Sequence, residues 1–349
     1  MTSASDKQVP GRYFVLLLGA LAVQGADTTR LLALAGLDPA RFERSDAMLS
    51  PAEVDAFLTA AYHVTGRTDL GFEIGRLIKL NSHDQLGYGM LSCRNVDHLL
   101  RLTSRYYHVI NELFSMRYRR LPDRAEAVFS PVVAMPLRTM HFVMEAIAIS
   151  AQCQLQMLLG QDRVGFDIHM GMPVPSHRAR YLELLPTRFH FDERALPGVT
   201  LVLDARLLDL ALPLASPQVV EQVETRLQSL QRRPMPHAGW GEYIAMMLRE
   251  AQGQQITLED IARRMNVSIR TIDRNLKKED LQFRDLSQQV RFERARELLA
   301  RPGATVSGVA EQLGFSDAAN FTRAFRRHSG ATPSEFQQKI QSERGAPGP

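Results

Sequence analysis

The sequence predicts a chain of two domains: a mixed α+β domain over residues 1–212, then an all-α domain over residues 240–340 containing two helix-turn-helix units. Three observations carry that prediction. Thr257–Lys278 is repeated as Thr305–Arg327: Ile261-Ala262, Met265 and Val267-Ser268 match Val309-Ala310, Leu313 and Phe315-Ser316 at an offset of 48, and Ile272, Arg274 and Leu276 match Phe321, Arg323 and Phe325 at an offset of 49. A repeat of this kind marks two similar small units. Before residue 212, helical periodicity is interleaved with short alternating stretches, the pattern of an α+β domain. Between the two regions Gln231–Gly239 contains Pro234 and Pro236, which lack the backbone donor a continuing helix needs.

Taken in order, Gly11–Leu37 reads as two short helices broken near Gly25, and Asp38-Pro39 as the start of a turn. Ser50-Pro51-Ala52-Glu53 is a helix start, with Ser as cap, Pro in the first turn and Glu at the third position. Ala52–Thr65 and Asp97–Leu113 follow as helices, the second carrying Leu99, Leu100, Leu102, Tyr106 and Ile110. Ser115–Arg120 and Glu126–Ser130 alternate around Pro122-Asp123-Arg124, which predicts a β-hairpin. Arg138–Leu159 is a mostly apolar helix. Val164–Met170, Arg188–Phe191 and Val199–Asp204 read as strands, with a helix at His177–Leu185 between the first two. Ser216-Pro217 opens a helix over Gln218–Leu230 whose apolar stripe of Val219, Val220, Val223, Leu227 and Leu230 suits either its own domain or a second copy. Residues 213–239 are therefore expected as a helix plus a Pro-rich linker, and 341–349 as a disordered tail.

In the C-terminal region Leu258, Ile261, Ala262 and Met265 form one apolar stripe, and Ala262 allows the next helix to cross closely. Asn266 and Gly314 suit the left-handed turn residue. Ser268 and Ser316 read as N-caps. The helices that follow bury Ile272 and Leu276, or Phe321 and Phe325. Their opposite faces carry Arg270, Asp273, Arg274 and Lys277, or Asn320, Arg323 and Arg327. Asp285–Ala300 is long enough to act as a rigid spacer. Units of this type present a helix to a major groove, so the partner expected is double-stranded DNA.

Val290–Leu299, Val309–Ser316, Asn320–Arg327 and Gly330–Phe336 closely resemble the AraC/XylS transcription regulators, over roughly Trp240 to Lys339. The resemblance implies a seven-helix DNA-binding domain whose two recognition helices enter successive major grooves. It places base-reading positions on Arg270, Asp273 and Arg274, and on Ala318, Ala319, Asn320 and Arg323. Arg suits guanine and Asn adenine, while Asp273 either accepts from a cytosine amino group or orients its neighbouring arginines. Ser268, Lys277, Lys278, Ser316, Arg326 and Arg327 are expected at phosphates, which position without reading sequence. Asp280 stands where the family commonly has Gly, a change that the left-handed tolerance of Asp permits. The N-terminal order is similar, more weakly, to an α+β sensor domain found in a subgroup of the family. The function implied is a cytoplasmic DNA-binding transcription regulator, an activator by default, controlled through an effector-sensing or dimerisation domain. RNA polymerase, a small-molecule effector and a second copy are the partners implied; the alternative is a ligand-binding or enzymatic N-terminal module with an accessory DNA-binding domain.

Composition is consistent with these expectations. With 349 residues, 45% of them hydrophobic, both domains have material for a core. Residues 240–349 hold 17 Lys/Arg against 14 Asp/Glu, an excess of three, so most of the net charge of +4 lies in the DNA-binding third. Cys93 and Cys153 do not make a disulfide framework; Cys153 reads as a small core residue. Phe14–Val23 is too short to span a bilayer, and no membrane partner is expected. His169, His177 and His190 lack metal-ligand spacing, so neither a metal nor a cofactor is expected. Gly71-Phe72-Glu73-Ile74-Gly75 and Gly87-Tyr88-Gly89 lack the phosphate-loop pattern and read as turns or close-packing sites. Ser92 lacks nucleophile-elbow glycines, so no catalytic residue is expected. Phe142, Met144, Met157 and Phe166 read as core rather than cavity lining, and no effector contact is assigned.

Overall fold

The computed structural model describes residues 7–44, 46–160, 165–228, 240–250, 256–264, 268–301 and 303–345. The chain divides into two compact units, Met1–Ala238 and Gly239–Pro349.

The first unit begins with β1 (Val9–Pro10), α1 (Arg12–Val23) and α2 (Thr28–Ala35), then β2 (Met48–Leu49), which pairs with β1. The helix α3 (Pro51–Thr65) starts at the expected capping box, in which Ser50 Oγ accepts from the Glu53 amide and Glu53 accepts from the Ser50 amide. Next come α4 (Leu70–Leu77), α5 (Asp84–Leu91) and α6 (Val96–Tyr106). The expected helix to Leu113 ends early: a 3-10 turn at Tyr107–Val109 follows, and the Asn111 side chain then accepts from the Leu113 and Phe114 amides. That cap turns the chain into the hairpin of β3 (Phe114–Arg120) and β4 (Arg124–Pro131). After α7 (Leu137–Leu159) come β5 (Asp167–Met170), β6 (Arg188–Phe191), β7 (Val199–Asp204), α8 (Ala205–Leu208) and α9 (Pro217–Gln228). The five-stranded sheet has the order β3-β4-β7-β5-β6, antiparallel except for β5 with β6. Ala125, Ala127 and Phe129 on β4, with Val199, Leu201 and Leu203 on β7, turn one face into the core. The helix expected at His177–Leu185 is a 3-10 helix over Arg178–Leu184. Val164, where the first of the three later strands was expected to start, lies outside the described residues, as do the linker at 231–239 and the Asn266 turn.

Both Gly-containing segments are helices, and the close-packing half of their reading holds. A Cβ on Gly71 would meet Glu145 Cβ and the Phe142 carbonyl at 2.9 Å, and one on Gly75 would meet Ile149 Cβ at 2.6 Å. Four-residue spacing puts both glycines on one face of α4, so its backbone lies directly against α7. Gly89 on α5 does the same for α9: a Cβ there would stand 2.8 Å from Val223 Cγ1. Val220, Val223 and Leu227 are buried, so this part of the α9 stripe packs within its own unit, while Val219 is exposed and Leu230 lies outside the described residues. Although α7 is long and apolar enough to cross a membrane, it is mostly buried inside the unit and includes buried Glu145, Gln152 and Gln154. It is the core helix.

Among the described residues, the second unit has seven helices: α10 (Trp240–Glu250), α11 (Leu258–Arg264), α12 (Ile269–Lys278), α13 (Phe283–Leu299), α14 (Val306–Gln312), α15 (Ala318–Ser329) and α16 (Pro333–Gly345). The last helix thus runs through 341–345, part of the stretch expected as tail. Glu279, just past α12, accepts from the Trp240 and Gly241 amides at 2.8 and 2.9 Å and so caps α10 from within the unit. Phe292, Leu298 and Leu299 of α13 pack with Val309, Ala310, Phe321 and Phe325 in one apolar cluster.

Candidate nucleic-acid interface and interior cavity

Thr257 and Asp260 cap α11 reciprocally: Thr257 Oγ1 accepts from the Asp260 amide, and Asp260 accepts from the Thr257 amide. Ser268 caps α12 as expected, accepting from the Thr271 amide at 3.2 Å. Ile272 and Leu276 are buried, which rotates Arg270, Asp273, Arg274, Lys277 and Lys278 to solvent. Among the described residues none of these five has an ion pair or side-chain hydrogen bond. Asp273 is therefore not held against Arg270 or Arg274. The turn after α12 uses Asp280 at φ +55°, the left-handed role expected of it.

The second unit differs at its cap. Thr305 caps α14, and Gly314 makes the turn at φ +68°. The N-cap of α15 is Asp317, not Ser316: Asp317 Oδ1 accepts from the Asn320 amide at 2.7 Å. One extra residue in the turn moves the helix start, and that residue is the step from offset 48 to 49. The Asn320 amide nitrogen donates to Ser316 Oγ and Asp317 Oδ2, both at 2.7 Å, and its oxygen accepts from Arg323 at 2.5 Å. Donors from Asn320 and Ser316 hold the Asp317 carboxyl below its ordinary pKa. Phe321 and Phe325 are buried, and Ala318 packs partly against the same cluster. Ala319, Arg323, Arg326 and Arg327 are exposed. The structure thus brings Arg270, Asp273 and Arg274 onto one open face, whereas Asn320 and Arg323 are tied to each other and Ala318 is half inside. One residue escaped the sequence reading. Arg291 on α13 lies 4.0 Å from the centre of the Phe315 ring and donates to the Leu313 and Gly314 carbonyls, so the long helix grips the turn of the second unit.

In the first unit two interior cavities, each about 70 Å³, share a wall of His83, Tyr107, Ile110, Ile147 and Ser150. Tyr13 Oη lies 2.8 Å from His83 Nδ1, and Gln154 Nε2 lies 2.9 Å from His83 Nε2. Burial, aided by the Arg12 charge, holds His83 down at about 4, so the ring is neutral near pH 7. Of the four residues weighed for a cavity only Phe142 lines one; Met144 and Phe166 are core, and Met157 is exposed. Tyr13, His83 and Gln154 are far apart in sequence, and no spacing signal links them. Burial pushes the Cys93 thiol up to about 12 and raises Cys153, so neither is an activated nucleophile. His177 and Tyr181 both bond the buried Glu145, while His190 bonds Asp167 and stacks on His169. Among the described residues no group of His, Cys, Asp and Glu could hold a metal ion.

Two helix-turn-helix units on a shared helical core, preceded by an α+β unit, define a two-domain DNA-binding regulator. A family model described as the arabinose-binding domain of AraC transcription regulators, N-terminal, matches residues 25–212, and a helix-turn-helix domain model matches 261–339. The chain belongs to the AraC family of transcription regulators. The ornithine utilization regulator of Pseudomonas aeruginosa is 25% identical over 331 residues, covering 95% of this chain and 96% of the relative. RipA, a regulator of Corynebacterium glutamicum, is 38% identical over 104 residues, covering 30% of this chain and 31% of its own. The crystal structure of the transcriptional regulator CdpR from Pseudomonas aeruginosa aligns with a TM-score of 0.42 at 22% identity, covering 89% of this chain and 96% of that one.

Proposed function

We propose that the chain is a cytoplasmic, effector-controlled activator that reads DNA chiefly through α12. The open, unpartnered face of Arg270, Asp273 and Arg274 carries this reading. Unpaired guanidinium groups on a capped helix meet bases without first breaking internal bonds, and each Arg can donate twice to a guanine edge. Asp273 accepts from a cytosine amino group on the same face. On α15, Arg323 reads bases with Asn320 holding it in place, Ala319 contributes only its methyl group, and Ala318 contributes least. Ser268, Lys277, Lys278, Ser316, Arg326 and Arg327 take phosphates and set the register. The first unit senses a small molecule, and RNA polymerase is the downstream partner. The buried Val220, Val223 and Leu227 of α9 are used within the first unit, so a homodimer would rest on other residues.

A footprint tests the two-headed reading. With α13 as a rigid spacer, one chain protects two major-groove segments about 10 bp apart on one face of the DNA. Inserting about 5 bp, half a turn, between them abolishes most specific affinity. Undiminished binding to the lengthened site would mean that only one unit reads.

A further inference from the structure

The paired cavities of the first unit are too large to be ordinary packing gaps, since few voids in a protein interior exceed one water molecule. Their lining is mainly apolar, and most of its polar side chains are already bonded within the protein, which leaves little to hold water. The first lies among the sheet, α6 and α7, with Met116, Phe129 and Leu201 in its wall; the second lies among α1, α4 and α7, with Phe14, Ile74 and Phe142. No Asp, Glu, Lys or Arg lines either one.

The polar inventory is short, and its proton positions follow from the partners. Gln154 Nε2 lies 3.4 Å from the Ile78 carbonyl, an acceptor only, which fixes the amide nitrogen on that side. The same nitrogen donates to His83 Nε2, so the ring proton sits on Nδ1 and is donated to Tyr13 Oη. The Tyr13 hydroxyl proton then remains for a further acceptor. Burial raises this phenol to about 12, so it keeps that proton. Ser150 Oγ donates its own proton back to the Ile147 carbonyl, Thr103 Oγ1 does the same to Leu99, and Tyr107 in the shared wall bonds the Asn111 side chain.

We propose that the twin cavity around His83 is the effector site, and that it takes an uncharged, compact, largely apolar molecule offering one hydrogen-bond acceptor to the Tyr13 hydroxyl. This rests on the reading of the first unit as a sensor. A charged ligand, a free amino acid included, would surrender its hydration to a wall without ionised side chains, and the Arg12 charge behind Tyr13 and His83 disfavours a cation further. A purely apolar one would leave the Tyr13 proton unmatched.

The test uses the full chain and cyclohexanone, a neutral ring with one carbonyl acceptor, against cyclohexylammonium, a ring of similar size bearing a charge. Binding is followed by titration calorimetry. Cyclohexanone should bind saturably and cyclohexylammonium at least tenfold more weakly. Tyr13→Phe should weaken cyclohexanone several-fold without affecting the fold. Ala151→Phe, which fills the first cavity, should reduce binding, and Ala146→Phe fills the second should the former fail to fold. Absence of cyclohexanone binding, equal binding of the ammonium, or undiminished binding in a folded filled variant would each overturn the assignment. A mobility shift with DNA selected from random sequence, run on the same samples, separates the two failures. If the DNA is bound but cyclohexanone is not, only the cavity assignment falls; if a charged metabolite instead raises the melting temperature, the sensor reading stands with a different site.

Discussion

Replacing Arg274 with alanine is expected to cost far more specific affinity than replacing Asn320, although both sit where base contacts are expected. A bidentate contact from either side chain is worth about 1–3 kcal/mol of discrimination, or about 5- to 150-fold. Arg274 has no internal partner among the described residues, so if it reads a base as proposed the full amount is at stake. Asn320 begins with its amide nitrogen shared between Ser316 and Asp317 and its oxygen on Arg323. To pair with adenine it must give those bonds up, and each exchanged hydrogen bond erodes the gain. The net loss for Asn320→Ala is expected below about 1 kcal/mol, mostly through a less fixed Arg323. The assay is a competition mobility shift at constant salt against a panel with each base pair of the site changed. Arg274→Ala should flatten the preference at one position and leave non-specific binding nearly intact. The reasoning is refuted if Asn320→Ala costs more than Arg274→Ala and selectively removes an A·T preference.

Three further outcomes are expected. In an exposed helix Gly→Ala gains about 1 kcal/mol, but the Gly75 Cβ position lies 2.6 Å from Ile149 Cβ, and overpacking costs about 1–3 kcal/mol. Gly75→Ala should therefore lower the melting temperature, and a rise would show that α4 and α7 can part. Because His83 titrates at about 4 when folded and 6.5 when free, the unfolded state binds the extra proton between those values. Stability contributed by neutral His83 is thus present above pH 6.5 and lost as the pH falls to about 4, by on the order of 3 kcal/mol; thermal unfolding should show a slope in that window which His83→Gln lacks. Finally, a fragment covering residues 239–349 should fold and bind DNA alone, since Glu279 caps α10 from within the unit; circular dichroism and a mobility shift check both.

Local signals in the sequence marked local structure well. The Ser50 capping box, the Pro122 hairpin and the left-handed Asp280 all act over a few residues, and each stands where its chemistry put it. The misses had separate causes. Gly71 and Gly75 masked a helix because glycine supplies no apolar side chain to the 3.6-residue pattern, although their spacing encoded the contact. The cap at Asp317 was legible in the step from 48 to 49, and Ser316 was favoured only because it matched Ser268 by residue type. The helix expected over Asp97–Leu113 is too long because apolar periodicity does not distinguish an α-helix from the 3-10 turn at Tyr107–Val109. Tyr13, His83 and Gln154 could not be joined from sequence at all: their 70-residue separations acquire meaning only when α1, the loop before α5 and α7 meet.

The grip of Arg291 on Phe315, Leu313 and Gly314 bears on more than packing. A flat, forked cation can stack on a ring and bind two carbonyls at once; lysine, a point charge on a flexible stem, cannot. That contact ties the turn between α14 and α15 to α13, and on the two-headed reading it sets the helical phase at which the second head would meet the duplex. Sites differing by a base pair in pitch or spacing would thereby be rejected without any change in the bases touched. A loosened grip would leave both heads intact and the chain tolerant of many spacings, so, on the two-headed reading proposed above, part of the choice of DNA is stored as an angle and not as a base contact.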